Sequence, residues 1–405
     1  MEGNEARIEQ SSKPKNKAAA LLEVLAVSFK LGLTSFGGPV AHLGYFHNEY
    51  IERRKWMDER SYADLVALCQ FLPGPASSQV GIGIGVIRSG LLGGMMAWLG
   101  FTLPSVIALV VFALILQSSG LGELGWIHGL KLVAVAIVAQ AVLGMGQKLA
   151  NSRSKATIAI LAASTVLLWQ SAVTQVLVII VAGSVGLLLY RHAVTANEKQ
   201  LEIPIRKVFA ASCLLLFFVL LILLPVATHY ANWDWLVIFD SFYRAGSLVF
   251  GGGHVVLPLL EQEVVPSGLI SEGDFLAGYG AAQAVPGPLF TFAAYLGAMM
   301  NGIVGAIVAT IAIFLPAFLL VIGALPFWNQ LRRSVKMQGA LHGMNAAVVG
   351  ILLAALYDPI WTTTIATTTD FVVAALLFVM LVFWKLPPWV VVVAGMLGGA
   401  VMTML

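Results

Sequence analysis

The chain has 405 residues, of which 59% are hydrophobic and 11% charged, with a mean hydropathy of +0.90 and a net charge of +3. This composition leaves too few polar groups to cover a globular surface, and it lacks the basic stripe typical of nucleic-acid-binding proteins. Cys69 and Cys213 both lie in apolar stretches, which supports neither a disulfide framework nor a thiolate metal site. Because lipid cannot satisfy free backbone groups, the long apolar runs predict an all-α polytopic membrane protein.

The first part of the chain predicts a tail followed by two interrupted apolar stretches. Residues 1–19 mix charges of both signs and lack the apolar core and cleavage site of a secretory signal, so we expect a retained cytosolic tail. The stretch at 20–46 is interrupted at Phe36-Gly37-Gly38, and the stretch at 64–88 is interrupted at Pro73-Gly74-Pro75. Glycine and proline at these points predict breaks in helices that would otherwise run straight.

Uninterrupted apolar runs follow these breaks, and about 20 residues suffice for a membrane-spanning helix. The predicted spans of the first half and the linker are 90–116, 128–147, two short spans within 156–190, and 208–227. The predicted domains are a tail at 1–19, a first repeat at 20–192, a basic cytosolic linker with one topology-inverting span at 193–234, and a second repeat at 235–405.

The second half of the chain repeats the landmarks of the first half in the same order. Phe36-Gly37-Gly38 aligns with Phe250-Gly251-Gly252 at an offset of 214 residues. Pro73-Gly74-Pro75 aligns with Pro286-Gly287-Pro288 at an offset of 213, and a glutamine lies three residues before each. Chance similarity between apolar sequences would not preserve these positions, so an internal duplication is predicted.

Basic residues predict the orientation of the two repeats. The connector at 47–62 contains four Lys or Arg residues, whereas its counterpart at 261–274 contains four acidic residues and no basic one. The positive-inside rule places the first in the cytosol and the second outside, so the halves are predicted to be inverted. Arg88 then shares the cytosolic side with Arg60. Each half is therefore predicted to contain two re-entrant or broken hairpins followed by about four membrane helices.

The breaks are the predicted substrate site. Broken backbone at membrane depth is tolerated where it is buried in protein or faces water, and a helix N-terminus there can bind an anion. The candidate substrate-binding residues at the breaks are Phe36, Gly37, Gly38, Gln70, Pro73, Gly74, Pro75, Ser77 and Ser78 in the first half, and Phe250, Gly251, Gly252, Gln283, Pro286, Gly287, Pro288 and Thr291 in the second. The alternative for each Pro-Gly-Pro is an ordinary helix kink.

Two cations occupy matched positions within the membrane stretches. Lys30 lies six residues before Phe36, and Arg244 lies six residues before Phe250. Charged residues at such depth are costly and usually functional. One cation from each half would suit a dianion bound between the halves. The alternative is that each side chain extends along its helix to reach the membrane surface.

Other titratable residues near the breaks are weaker candidates. His254 lies beside the second Phe-Gly-Gly break and is the preferred candidate for proton coupling. His128 and His342 also align, and we expect them to cap or pack helix starts. Glu49 and Glu263 align too, but both adjoin polar connectors, which predicts solvated carboxylates.

At these residues the chain resembles the chromate ion transporter family, in its long form with two homologous domains. The resemblance covers both halves and is carried by "FGGP", "FGGG" and the two "PGP" tripeptides with their upstream glutamines. It implies a multi-pass protein of the bacterial inner membrane that exports chromate and confers resistance, with sulfate as the chemical analogue. The second half departs from the first at Gly253, which stands where the first half has Pro39.

The resulting hypothesis is a transporter, not an enzyme, that needs no cofactor and moves chromate outward by alternating access. The rival hypothesis is an importer or exchanger of sulfate or another oxyanion with the same architecture. An intramembrane enzyme would need a paired nucleophile and base, and a haem subunit would need axial histidines on facing spans; the sequence supports neither. Glycine-rich helices would permit close packing in a homodimer.

Overall fold

The computed structural model of this protein describes residues 17–36, 38–119, 125–190, 205–231, 233–250, 253–328 and 334–402. Within these ranges the regular secondary structure is helical and contains no strand. Most of the predicted tail, much of the basic linker, and three candidate site residues, Gly37, Gly251 and Gly252, lie outside the described residues. The prediction of an all-α protein is confirmed.

The first half contains seven helices among its described residues. They are α1 (Lys17–Thr34), α2 (Gly38–Phe46), α3 (Glu59–Phe71), α4 (Ala76–Ser119), α5 (Gly125–Leu149), α6 (Arg153–Leu168) and α7 (Ala172–Leu189). A wider π-helical turn at His47–Arg53 extends α2 beyond the predicted end of the hairpin at residue 46.

The second half begins after a linking helix and presents the same order of helices. The linking helix is α8 (Lys207–Tyr230), and the others are α9 (Asp234–Leu248), α10 (Val256–Val264), α11 (Glu272–Ala282), α12 (Phe292–Ala324), α13 (Val335–Ala355), α14 (Thr368–Val382) and α15 (Pro388–Met402). Short 3-10 turns precede α10 and α12, at Gly253–Val255 and Leu289–Thr291.

Five stretches of the described chain are long and apolar enough to cross a membrane. They are Ala76–Gln117, Gly125–Leu149, Lys207–Tyr230, Leu289–Phe327 and Lys336–Thr364. The linking helix α8 buries only four residues of its 24. Its remaining surface is dominated by leucine, isoleucine, valine and phenylalanine, which is typical of a helix that faces lipid.

The two longest helices, α4 and α12, are each folded back on themselves. The φ and ψ angles depart from helical values at Ser89 and Gly90 in α4, and at Asn301 and Gly302 in α12. Gly90 and Gly302 have φ of +72° and +55°, a left-handed conformation that glycine adopts at little cost. In α4, a Cβ at Gly85 would collide with the carbonyl oxygen of Gly93, so the short arm (76–88) packs directly on the long arm (91–119). Each short arm is therefore a separate helix that follows its Pro-Gly-Pro break and turns back before the long arm begins.

Helices α1 and α2 form an antiparallel hairpin. The Ser28 Oγ and Tyr50 hydroxyl atoms lie 2.9 Å apart, and Arg54 Nη1 lies 2.8 Å from a carboxylate oxygen of Glu23 near the start of α1. Arg88, at the end of the short arm of α4, lies 3.3 Å from the same carboxylate. Both arginines lie over the ring of Trp56, which precedes α3. The segment from α3 to Arg88 therefore begins and ends at one end of the molecule, as a re-entrant hairpin requires.

The halves exchange helices. Helix α5 packs on α14 and α15 of the second half, and α13 packs on α6 and α7 of the first. Glycines permit this contact: a Cβ at Gly129 of α5 would collide with the carbonyl oxygen of Gly395, and one at Gly343 of α13 would collide with that of Ala182. These glycines are used for packing within the chain, so they give no support to the predicted homodimer.

Candidate functional site

Two crossed backbone hydrogen bonds join the four breaks. The amide of Gly74, in the first Pro-Gly-Pro, donates to the carbonyl oxygen of Val249 at 2.7 Å. The amide of Gly287, in the second Pro-Gly-Pro, donates to the carbonyl oxygen of Ser35 at 2.9 Å. Val249 and Ser35 immediately precede the two Phe-Gly-Gly motifs. Each Pro-Gly-Pro is therefore bound to the Phe-Gly-Gly segment of the other half.

Glycine is required at the centre of both Pro-Gly-Pro turns. Gly74 and Gly287 have φ of +115° and +106°, which L side chains rarely adopt. Space is also limited, because a Cβ at Gly287 would collide with Ser105 Oγ, and one at Gly74 would lie 3.0 Å from Gln79 Nε2. Alanine at either position would strain the turn and weaken the crossed hydrogen bond.

Side chains satisfy the proline carbonyls that the breaks leave free. In the first half, Gln79 Nε2 donates to the carbonyl oxygen of Pro73 at 2.7 Å. In the second, Ser105 Oγ on the long arm of α4 donates to the carbonyl oxygen of Pro286 at 2.6 Å. The second break therefore depends on a side chain of the first half.

Buried polar atoms surround the first-half break. His42, 1% exposed, lies on α2 with Nδ1 3.3 Å from Ser77 Oγ and its ring against Phe101. Several buried polar atoms in this region have no hydrogen-bond partner among the described residues: Ser35 Oγ, His42 Nε2, Ser78 Oγ, Gln79 Oε1, Thr102 Oγ1 and Gln283 Nε2. Buried polar groups are almost always paired in folded proteins, so this concentration indicates a place where a polar ligand or water belongs.

The second-half break is packed mainly by aromatic side chains. Phe292, at the start of α12, contacts the rings of Phe275, Tyr279 and Tyr295. The hydroxyl of Tyr279 lies 2.8 Å from His254 Nδ1, so the histidine predicted to couple protons has a defined partner. The hydroxyl of Thr291 donates to the carbonyl oxygen of Pro288, in its own turn, at 2.8 Å.

The matched cations are each held by the matched glutamate. Lys30 Nζ lies 3.4 Å from Glu49, which also accepts from Arg53 and Arg54 at 2.9 Å. In the second half, Arg244 makes two hydrogen bonds of 2.7 Å to Glu263.

The expectation of solvated carboxylates is wrong, because the side chains of Glu49 and Glu263 are 8% and 11% exposed. The helical hairpins cover both, and the cations compensate for the loss of water.

The remaining candidates are distributed around the breaks. Gln70 is exposed near the end of α3, unlike its half-buried counterpart Gln283. Phe36, Gly38, Phe250, Pro73 and Pro286 are partly buried, and Pro75 and Pro288 are buried. Which of the candidates contact an ion stays a prediction.

Sequence reasoning did not select Ser35, His42 or Thr102 as site residues, and it considered Gln79 only as an amide donor after the first break. A signal was present: each is a polar residue in or next to an apolar helix, and the residue at the equivalent position of the other half is apolar. Sequence reasoning also missed the bond of 2.6 Å between His128 Nε2 and Asp370 Oδ1, which links α5 to α14. Across the described part of the chain, no group of three or more His, Cys, Asp or Glu residues could hold a metal ion.

Comparison with known proteins agrees with this architecture. A family model described as "Chromate transporter" matches residues 22–187 and 236–400, one region in each half. The chain is 29% identical to the chromate transport protein of Pseudomonas aeruginosa over 83% of this chain and 80% of that protein. It is 26% identical to the chromate transport protein of Cupriavidus metallidurans over 93% and 92%, and 27% identical to an uncharacterized transporter of Methanocaldococcus jannaschii over 84% of each chain.

No solved structure matches the chain. The family model nevertheless covers most of the sequence, and its two matched regions contain all four breaks. The chain therefore belongs to the chromate transporter family.

Proposed function

We propose that this protein carries chromate, a tetrahedral dianion, across the membrane and binds it at the crossed breaks. The observation that carries the proposal is the pair of hydrogen bonds from Gly74 to Val249 and from Gly287 to Ser35. They bring together chain segments that lie 175 and 252 residues apart in sequence. The names of the relatives from Pseudomonas aeruginosa and Cupriavidus metallidurans support chromate as the substrate.

The chemistry of the breaks suits an oxyanion. The short arm of α4 begins at Ala76, directly after the first Pro-Gly-Pro, and the first amides of a helix have no intrahelical acceptor. These amides and the positive end of the helix dipole favour a negative ligand. The hydroxyl group of Ser78, which has no partner among the described residues, lies in the same turn and adds a donor.

The ion pairs of Lys30 and Arg244 limit how these two cations can contribute to binding. In the present arrangement each cation is occupied by its glutamate. Either cation reaches the dianion only by sharing or leaving that carboxylate. The cations therefore serve the approach of the ion more readily than its final coordination.

We further propose that the two halves are inverted in a bacterial inner membrane, with the N-terminus in the cytosol, and that they rock around the site by alternating access. A cell interior that is negative favours export of a dianion, by about 2.3 kcal/mol per charge per 100 mV. Export would confer resistance to chromate. Import of sulfate or another oxyanion is the second candidate, because tetrahedral dianions of similar size would fit the same donors.

The test is uptake of radiolabelled chromate and sulfate into inside-out membrane vesicles. We expect wild type to accumulate chromate, and Gly74→Ala and Gly287→Ala to abolish most of it. Gly268→Ala is the matched control, because Gly268 also has a positive φ, +72°, but has open space around it. Sulfate accumulation without chromate accumulation would refute chromate as the substrate. An equal loss in all three variants would show that the crossed turns have no special role.

A further inference from the structure

We propose that the transported oxyanion is coordinated asymmetrically, by side chains of the first half, while the second-half break is a structural support. The ligands are Ser35, His42, Ser78 and Thr102 of the first half, joined by the amide of Gln283 from the second. This inference rests on the proposed function and assigns its site to particular donors.

The comparison of repeat-related positions carries the asymmetry. Four of the polar residues at the first break have apolar, buried counterparts at the second. The pairs are Ser35 with Val249, His42 with Val256, Gln79 with Phe292, and Thr102 with Phe314. The fold has therefore retained the shape of both breaks while the donors are concentrated at one of them.

Hydrogen bonding distinguishes a pair of residues that carries a hydroxyl group in both halves. Ser78 and Thr291 occupy equivalent positions, one residue before Gln79 and Phe292. Thr291 Oγ1 is already bonded to the carbonyl oxygen of Pro288. Ser78 Oγ is buried and has no partner among the described residues. Only the hydroxyl of the first half is free to bind a ligand.

Contacts place residues that carry or adjoin several of these donors around the same crossing point. The carbonyl of Ser35 accepts the bond from Gly287, and the space that a Cβ of Gly287 would fill lies 3.3 Å from the carbonyl oxygen of Phe101. The ring of Phe101 packs against His42, whose Nδ1 lies 3.3 Å from Ser77 Oγ. Thr102 follows Phe101 on α4, and Gln283 lies directly after the end of α11, four residues before Gly287.

The unpartnered atoms have the polarity that an anion needs. Three hydroxyl groups can donate, and so can the amide nitrogen of Gln283. When Ser77 donates to Nδ1 of His42, the proton of the ring lies on Nε2, which becomes a further donor. Gln79 is different, because its amide nitrogen is held by Pro73 and its free Oε1 only accepts. It is a positioning residue that fixes the turn.

The experiment measures binding of radiolabelled chromate to the purified full-length protein in lipid nanodiscs. We expect Ser78→Ala to raise the Kd about ten-fold and Thr102→Val to act similarly, since each removes a hydrogen bond to a charged ligand. Thr291→Ala, the repeat-related change, is expected to alter the Kd less than about two-fold by the same reasoning. Thr310→Val is the control for loss of a buried hydroxyl, because Thr310 bonds only within its own helix, to Ala306.

Equal effects of Ser78→Ala and Thr291→Ala would overturn the asymmetry, and so would normal affinity in both Ser78→Ala and Thr102→Val. If Ser78→Ala does not fold, Ser35→Ala and its counterpart Val249→Ala provide the same comparison. Failure of wild type to bind any oxyanion, while its thermal unfolding remains cooperative, would refute the proposed function itself. That outcome is distinguishable from the others because it needs no variant.

Discussion

Each Phe-Gly-Gly hairpin contains an ion pair at its open end, which we call its mouth. The two ion pairs are matched by the repeat, but the excess charge around them has opposite sign. At the first, one carboxylate, Glu49, is bonded by three cations, Lys30, Arg53 and Arg54. At the second, one cation, Arg244, is bonded by two carboxylates, Asp240 and Glu263. The duplication has preserved a contact between two helices while the excess charge around it has changed sign. In the proposed topology, the positive mouth faces the cytosol and attracts anions, and the negative mouth faces outward and repels them.

The first prediction concerns the side of the membrane on which each mouth lies, and its outcome is all or none. With Cys69 and Cys213 replaced, we expect single cysteines at Arg54 and Arg88 to react with an impermeant maleimide only in inside-out vesicles. A cysteine at Gly268, in the acidic connector, should react only in right-side-out vesicles. Reaction of Arg88→Cys from the side opposite to Arg54→Cys would rule out a re-entrant Pro-Gly-Pro segment.

The largest graded effect is expected at the second mouth. Arg244→Ala leaves Asp240 and Glu263, whose side chains are 5% and 11% exposed, without their cation. Unpaired buried charge costs about 3 kcal/mol or more, so we expect a clear drop in the unfolding midpoint. Arg244→Lys keeps the charge but loses the two-pronged geometry and should recover about half of the loss. Equal stability of both variants would show that the geometry contributes nothing.

A smaller effect is expected at the first mouth. The Lys30 side chain is 54% exposed, and Glu49 keeps its ion pairs with Arg53 and Arg54 when Lys30 is replaced. Lys30→Ala should therefore cost about 1 kcal/mol or less, after allowance for solvent screening, and the cost should fall with added salt. If Lys30 attracts the ion electrostatically, Lys30→Ala should lower chromate flux clearly even though it lowers the free energy of unfolding only slightly. A loss as large as that of Arg244→Ala would contradict the difference between the mouths.

Sequence reasoning predicted the helical fold class, because apolar run length and lipid chemistry leave few alternatives. It also selected the breaks, since Gly74 and Gly287 sit in Pro-Gly-Pro turns that only glycine tolerates. It did not predict which break bonds to which, because the crossed bonds join residues whose proximity depends on packing of the whole chain. The ion pairs of Lys30 and Arg244 were missed for a related reason. Glu49 and Glu263 adjoin polar connectors in sequence, but in the folded protein the hairpins bury their side chains.

The exchange of helices between halves has a consequence for biosynthesis. Helix α5 is made early, yet the helices it packs on, α14 and α15, are the last described helices of the chain. The glycine-lined face of α5 therefore remains uncovered until α14 and α15 have been synthesised. A nascent chain arrested before Thr368 would present that face to lipid and to the quality-control proteases of the membrane.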